Sequence, residues 1–150
     1  MEKVLKLLSE SESETVAFGR KIGEYAKGKK IPVCLYGDLG AGKTTLIKGI
    51  GSAFGISERD ICSASFLIVA EHESVPPLYH IDLYRIEGRE ALHELGIWEY
   101  LEGEGVAVVE WAERLEDRPP RALALFIKAD GMDRRLITIE DFDEEDWNNL

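Results

Sequence analysis

Gly37-Asp38-Leu39-Gly40-Ala41-Gly42-Lys43-Thr44 is the stretch on which the reading of this chain turns. It fits the pattern G-x-x-x-x-G-K-[ST] of a phosphate-binding P-loop. Such a turn has to wrap an oligophosphate so that successive backbone N–H groups point inward. Gly40 and Gly42 permit backbone angles and a close approach that a side chain would block. The following helix aims its positive end at the same phosphates. Lys43 reaches the β- and γ-phosphates as a point charge, the Thr44 hydroxyl is placed to ligate Mg²⁺, and Thr45 lies close by. At ordinary glycine usage a chance match is expected on the order of once in a few hundred chains of this length. The setting adds specificity, because the motif follows an apolar run and opens an amphipathic segment. A nucleoside triphosphate, ATP with Mg²⁺, is the expected ligand.

Working outward, Ile31–Tyr36 (IPVCLY) is apolar enough for a strand covered on both faces, and Leu46, Ile47, Ile50 and Phe54 mark a helix stopping near Gly55. Upstream, Val4–Leu8 reads as a strand. Ser11 and Glu14 form a capping box for a helix carrying Val16, Ile22 and Tyr25, which ends at Gly28-Lys29-Lys30. Downstream, Phe66–Ala70 and Leu78–Asp82 are strands separated by Pro76-Pro77, and Glu90–Leu95 is a short helix closed by Gly96. Val106–Val109 is a further apolar strand. Beyond Pro119-Pro120, Ala122–Lys128 and Leu136–Glu140 flank a turn at Gly131. This order predicts a single α/β domain, P-loop NTPase-like, over residues 1–150. Its sheet should be mixed and mostly parallel, flanked by helices, with antiparallel C-terminal strands.

A P-loop enzyme needs an acid beside Mg²⁺, usually at the end of a neighbouring buried strand. Glu110 follows the apolar Val106–Val109, and Asp82 ends the strand Leu78–Asp82; either could hold the metal side or orient the attacking water. Their bland alternatives are a strand-end surface carboxylate and an Asp paired with Arg85. His80 shares the strand face of Asp82 and reads equally as a part-buried histidine or a site residue. His72, His80 and His93 have neither the spacing nor the cysteines of a zinc site. Ile127-Lys128-Ala129-Asp130 echoes a guanine-reading motif but lacks its Asn, so adenine is favoured.

The net charge of −11 bears on partners. A domain that grips nucleic acid by itself is usually basic, so any nucleic acid in this protein's biology is expected to be held by another protein. Six acids in the seven residues Glu140–Asp146 read as a solvated tail over about 140–150, or as a docking tail anchored by Trp147. Cys34 and Cys62 form no C-x-x-C pair and suit a reducing compartment. With neither a secretion signal nor an apolar span of membrane length, the expected location is the cytosol.

Four words in this order, LYGDLGAGKTT at Leu35–Thr45, HIDLYR at His80–Arg85, ELGIWEY at Glu94–Tyr100 and VVEW at Val108–Trp111, resemble the TsaE (YjeE) family of bacterial ATPases. The resemblance runs over Ser11 to Trp111 and more loosely through the last strands. It implies an Mg²⁺-dependent ATPase, weak alone and stimulated by partners, needed to make threonylcarbamoyladenosine in tRNA. The implied partners are a TsaD-type threonylcarbamoyl transferase and its TsaB-type companion, with tRNA contacted indirectly at most. By the same resemblance, Lys43 binds phosphate, Thr44 and Glu110 serve the metal, Asp82 lies by the γ-phosphate, and Trp111 sits beside it. The rest of the loop, Gly37, Asp38, Leu39, Gly40, Ala41, Gly42 and Thr45, cradles the nucleotide. Arg134 and Arg135 are the two candidates for an arginine that touches it from the last hairpin, and Thr15 is a further candidate near the adenine. The family's Ser-Pro-Thr loop is here Ser63-Ala64-Ser65-Phe66, which keeps the hydroxyl and loses the proline. That loop and Glu94–Tyr100 are the candidate partner surfaces. The alternative is a small P-loop kinase acting on a metabolite or nucleoside. Against it, the nine arginines are scattered singly apart from Arg134-Arg135, and no lid insertion is evident.

Overall fold

The computed structural model describes residues 3–37, 42–61, 68–115 and 117–150. Expectations for Asp38, Leu39, Gly40 and Ala41, for Cys62 and for the loop Ser63–Phe66 lie outside the described residues. Seven strands form one sheet: β1 (Lys3–Ser9), β2 (Val33–Tyr36), β3 (Val69–His72), β4 (Leu78–Asp82), β5 (Val106–Glu110), β6 (Leu123–Ala129) and β7 (Arg135–Phe142). Their spatial order is β1-β7-β6-β2-β5-β4-β3. Three pairings, β2 with β5, β2 with β6 and β4 with β5, are parallel. The other three, β1 with β7, β6 with β7 and β3 with β4, are antiparallel. The sheet is therefore mixed in equal parts rather than mostly parallel, and antiparallel pairing occurs at both edges, not only among the C-terminal strands. Periodicity reports which faces are buried; pairing direction depends on chain return, which it does not encode.

Helix α1 (Glu12–Lys29) opens on Ser11, whose hydroxyl accepts from Glu14 N–H at 3.1 Å. The Glu14 carboxylate reaches back to Glu10 N–H at 2.9 Å, one residue before the position of the ordinary capping box. The helix runs through Gly28 and stops at Lys30, which adopts a left-handed conformation with φ 55°. Helix α2 (Lys43–Ser52) packs against α1 at a crossing made of glycines. A Cβ at Gly19 would lie 2.3 Å from Leu46 O, and one at Gly49 would lie 2.2 Å from Val16 O. No side chain fits at either place, so the backbones are in contact and α2 is held rigidly.

These two helices cover one face of the sheet, where Ile22, Leu46, Ile47 and Ile50 meet Val33, Leu35, Val108 and Leu125. The other face packs Cys34, Ile81, Ala107 and Val109 against α3 (Arg89–Leu95) and α4 (Ile97–Leu101). Helix α4 is an addition to the expected elements; Gly96, at φ 73°, ends α3 and starts α4. Burial pushes the Cys34 thiol up to about 12, which makes it inert.

The acidic C-terminus is not a solvated tail. β7 extends to Phe142, Asp143 caps α5 (Glu144–Asn148), and Trp147 is 5% exposed. Its ring centroid lies 6.0 Å from those of Tyr25 and Phe142, and Asp146 pairs with Lys29. Trp147 is an apolar anchor, but for this chain's own core. The acids are exposed or half-buried, while Phe142 at the end of β7 and Trp147 on α5 face inward. Among the described residues no helix is long and apolar enough to cross a membrane.

Candidate functional site

Parallel strands bring their C-terminal ends to one edge of the sheet, and the candidate residues gather there. Glu110, last in β5, stands level with Leu35 of β2 and with Asp82 of β4. β2 leads into Gly37, at φ 151°, where a Cβ would lie 2.6 Å from Ile127 O. On the far side of the loop, Gly42 (φ 94°) opens α2. Among the described residues that helix start has no side-chain cap, and its first turn carries no acid. Its free N–H donors and the positive end of its dipole are therefore left for an outside anion.

Lys43 is only 5% exposed. Its Nζ donates to Gly37 O at 2.8 Å and lies 4.1 Å from the centroid of the Trp111 ring. Among the described residues no carboxylate pairs with this ammonium. Trp111 is held across it by a left-handed backbone (φ 57°) at the end of β5, and the Tyr84 ring packs on the indole at a tilt, with centroids 5.0 Å apart. Thr44 and Thr45 are half-buried on the first turn of α2.

Asp82 is half-buried, and its Oδ1 accepts from Tyr84 N–H at 2.9 Å. Burial, with the nearby Glu110 charge, raises its carboxyl above the ordinary range, partly offset by that hydrogen bond. Asp82 does not form the expected alternative pair with Arg85 among the described contacts. Glu110, 6% exposed, is no surface carboxylate: its Oε2 lies 2.7 Å from His80 Nε2, and His80 is 1% exposed.

Beside the helix start lies a cavity of about 170 Å³ lined by Glu12, Thr15, Gly42, Thr45, Asp133 and Arg135. Thr15 is buried, its hydroxyl 2.7 Å from Ser9 Oγ. Of the two hairpin arginines, Arg135 is the one at the site, because a Cβ on Gly42 would touch its Nε at 2.9 Å. Arg134 turns to Asp130 at 3.8 Å and does not line the cavity, so the candidate is corrected from Arg134 to Arg135. Arg135 begins β7, where successive side chains point to opposite faces. Asp130 lies in the same hairpin, its N–H donating to Arg134 O at 2.9 Å.

Gly37 and Gly42, the buried lysine, the two threonines and two carboxylates thus meet at one edge, with Arg135 beside Gly42. The His80–Glu110 bond and the tilted packing of Tyr84 on Trp111 are not legible in the sequence. Alternation along β4 does place His80 and Asp82 on one face, but the diagonal reach to β5 depends on the sheet register.

The family model for threonylcarbamoyl adenosine biosynthesis protein TsaE matches residues 9–137. The tRNA threonylcarbamoyladenosine biosynthesis protein TsaE of Bacillus subtilis (strain 168) is 41% identical over 138 residues, covering 91% of this chain and 85% of the relative. The protein of that name from Treponema pallidum (strain Nichols) is 34% identical over 138 residues, covering 90% and 99%. A crystal structure of YdiB from Bacillus subtilis superposes with a TM-score of 0.74 at 37% identity, covering 97% of this chain and 90% of that one. With the match extending from the end of β1 into β7 and through every described part of the site, this chain belongs to the TsaE family, whose members take part in tRNA threonylcarbamoyladenosine biosynthesis.

Proposed function

We propose that the chain is a Mg²⁺-dependent ATP hydrolase of the tRNA threonylcarbamoyladenosine machinery. In this reading it works in the cytosol with a TsaD-type transferase and a TsaB-type companion. The observation that carries the reading is a buried lysine with no carboxylate partner among the described residues, beside an uncapped helix start. Two strand-end carboxylates stand level with each other on the adjacent strands. A cation so placed is costly unless an anion joins it, and a bound triphosphate supplies one.

The residues fit Mg²⁺, since Thr44 and Glu110 offer the hard oxygen donors it takes. When bound it supplies positive charge against the phosphate oxygens. Lys43 and the first amides of α2 meet the charge that develops on the γ-phosphoryl group. Asp82 and Glu110 accept hydrogen bonds from water and orient it for in-line attack. Trp111 walls the site and keeps bulk water from Lys43. Arg135, Thr15 and Thr45 line the side on which the rest of the nucleotide lies. With a net charge of −11 the chain is suited to meeting proteins first and tRNA only through them.

The test is Mg²⁺-dependent ATP hydrolysis by the chain alone and with both partners added. Low turnover that rises strongly with both supports the reading. Turnover indifferent to the partners would separate the P-loop chemistry from tRNA modification and direct the search to a kinase acceptor. Glu110→Ala should spare nucleotide affinity and depress turnover; normal hydrolysis by that variant removes Glu110 from the chemistry.

A further inference from the structure

His80 has no part in the reaction as drawn, yet it is among the most buried polar residues, at 1% exposure. Residues paired across a sheet share a face, and His80 stands level with Val108 of β5 and Ala70 of β3. It lies one row below Asp82 and Glu110, beside two small apolar side chains. Its Nε2 reaches diagonally upward to Glu110 Oε2 at 2.7 Å. An ionised carboxylate only accepts, so Nε2 is the ring nitrogen that carries the proton. An unpartnered carboxylate at this depth would be costly and free to rotate. With Oε2 held from below, the plane of the carboxylate is fixed and Oε1 is left for the site.

We propose that His80 is a positioning residue for Glu110: its Nε2–H holds Oε2, so that Glu110 meets Mg²⁺ or the attacking water through Oε1 alone. This rests on the reading of the chain as an ATP hydrolase and adds a residue to its machinery. A histidine that only fills space would contribute equally whether or not Glu110 is present. One that acts through Glu110 would not.

The experiment compares His80→Leu, His80→Gln, Glu110→Ala and the double variant His80→Leu/Glu110→Ala. Hydrolysis is read at saturating Mg²⁺–ATP with both partners present, and affinity is read by calorimetry with Mg²⁺ and a non-hydrolysable ATP analogue. His80→Leu should lower kcat about tenfold or more, the usual scale for a residue that orients a ligand or catalytic group. Analogue affinity should change by no more than about twofold. His80→Gln, which retains a donor, should recover much of the loss, and it carries the test if His80→Leu does not fold. The double variant should be no slower than Glu110→Ala. Independently of turnover, nitrogen NMR of the nucleotide-free chain should find the His80 proton on Nε2, with a resonance that shifts in Glu110→Ala.

A folded His80→Leu variant with full kcat, or with the same loss in the Glu110→Ala background, overturns the proposal, as does a neutral ring whose one proton is on Nδ1. A wild-type chain that hydrolyses nothing with any combination of partners sinks the ATPase reading and the role of His80 with it. An active wild type indifferent to His80 sinks the role of His80 alone.

Discussion

The centre of the sheet and its antiparallel wing bury polar groups in opposite ways. In the wing, Ser9 and Thr15 are both buried; one hydroxyl donates to the other at 2.7 Å, and the remaining hydroxyl proton goes to Ser11 O. At the end of the wing the chain folds back so that Trp147 packs on Tyr25 and Phe142, and Asp143 N–H donates to Tyr25 Oη at 2.7 Å. In the centre, Lys43 is buried without a carboxylate among the described residues, α2 starts uncapped, and the Asp82 carboxyl is pushed towards its neutral form. The wing is complete as folded, whereas the centre has donors and charges arranged for something that arrives later. Stability and function are thus weighted towards different strands of one sheet, with Arg135 at the start of β7 the wing's one strand residue beside the site among those described.

Changes in each region should then separate the two properties, and the largest effect belongs to the wing. Trp147→Ala should destabilise the fold by about 3–5 kcal/mol in urea unfolding and leave the nucleotide Kd unaltered. A matching loss of affinity would erase the division. In the centre, Lys43→Ala should raise the nucleotide Kd roughly a hundredfold, about 3 kcal/mol. The unfolding midpoint of the nucleotide-free chain should hold or rise, since a buried ammonium is removed. A large drop in that midpoint would mean the lysine is structural.

Asp82→Asn sharpens the comparison further. A carboxyl whose folded pKa is raised lowers stability as pH climbs from the ordinary carboxylate range through the raised value. The ionised group therefore weighs against the fold at pH 7. The amide should lift the Tm of the nucleotide-free chain by roughly 2–4 °C. The gain should vanish below the ordinary carboxylate range, about pH 3.9, and turnover should fall. A lower Tm at neutral pH would show that Asp82 is satisfied without a ligand.

The smallest effect concerns His72, whose buried Nε2 has no hydrogen-bond partner among the described residues and whose pKa is lowered by burial and then by His80. The unfolded chain takes up this proton more readily, so stability falls as pH drops through the ordinary histidine value of about 6.5. His72→Phe should remove roughly 1–2 °C of the Tm loss between neutral and mildly acidic solution. An unchanged profile would assign that loss to other groups.

Local chemistry made part of this legible from residues alone. Leu78–Asp82 was bounded correctly because apolar alternation and Pro76-Pro77 delimit it. The helix after Ser11 followed from its capping side chains. The helix expected after the glycine-rich turn does start at Lys43 and Thr44. What stayed hidden depends on partners distant in sequence. Arg134 and Arg135 differ by one step of a strand, and only the pairing of Ser9 with Arg135 settles which faces Gly42. His80 finds Glu110 thirty residues away through the register of β4 on β5. Trp147 is legible as an apolar anchor within the acid-rich end, but that it anchors on Tyr25 and Phe142 of this chain depends on the fold.

The indole of Trp111 sits 4.1 Å from the Lys43 ammonium, so its emission is set partly by a charge that a phosphate bound as proposed would neutralise. Trp147 has a cation of its own, Lys21 at 4.6 Å, but lies in the wing where no phosphate reaches. The chain accordingly carries an optical gauge of occupancy and an internal reference for it. In a Trp98→Phe background, a spectral change on adding nucleotide should persist in Trp147→Phe and disappear in Trp111→Phe, which would give binding kinetics without any label.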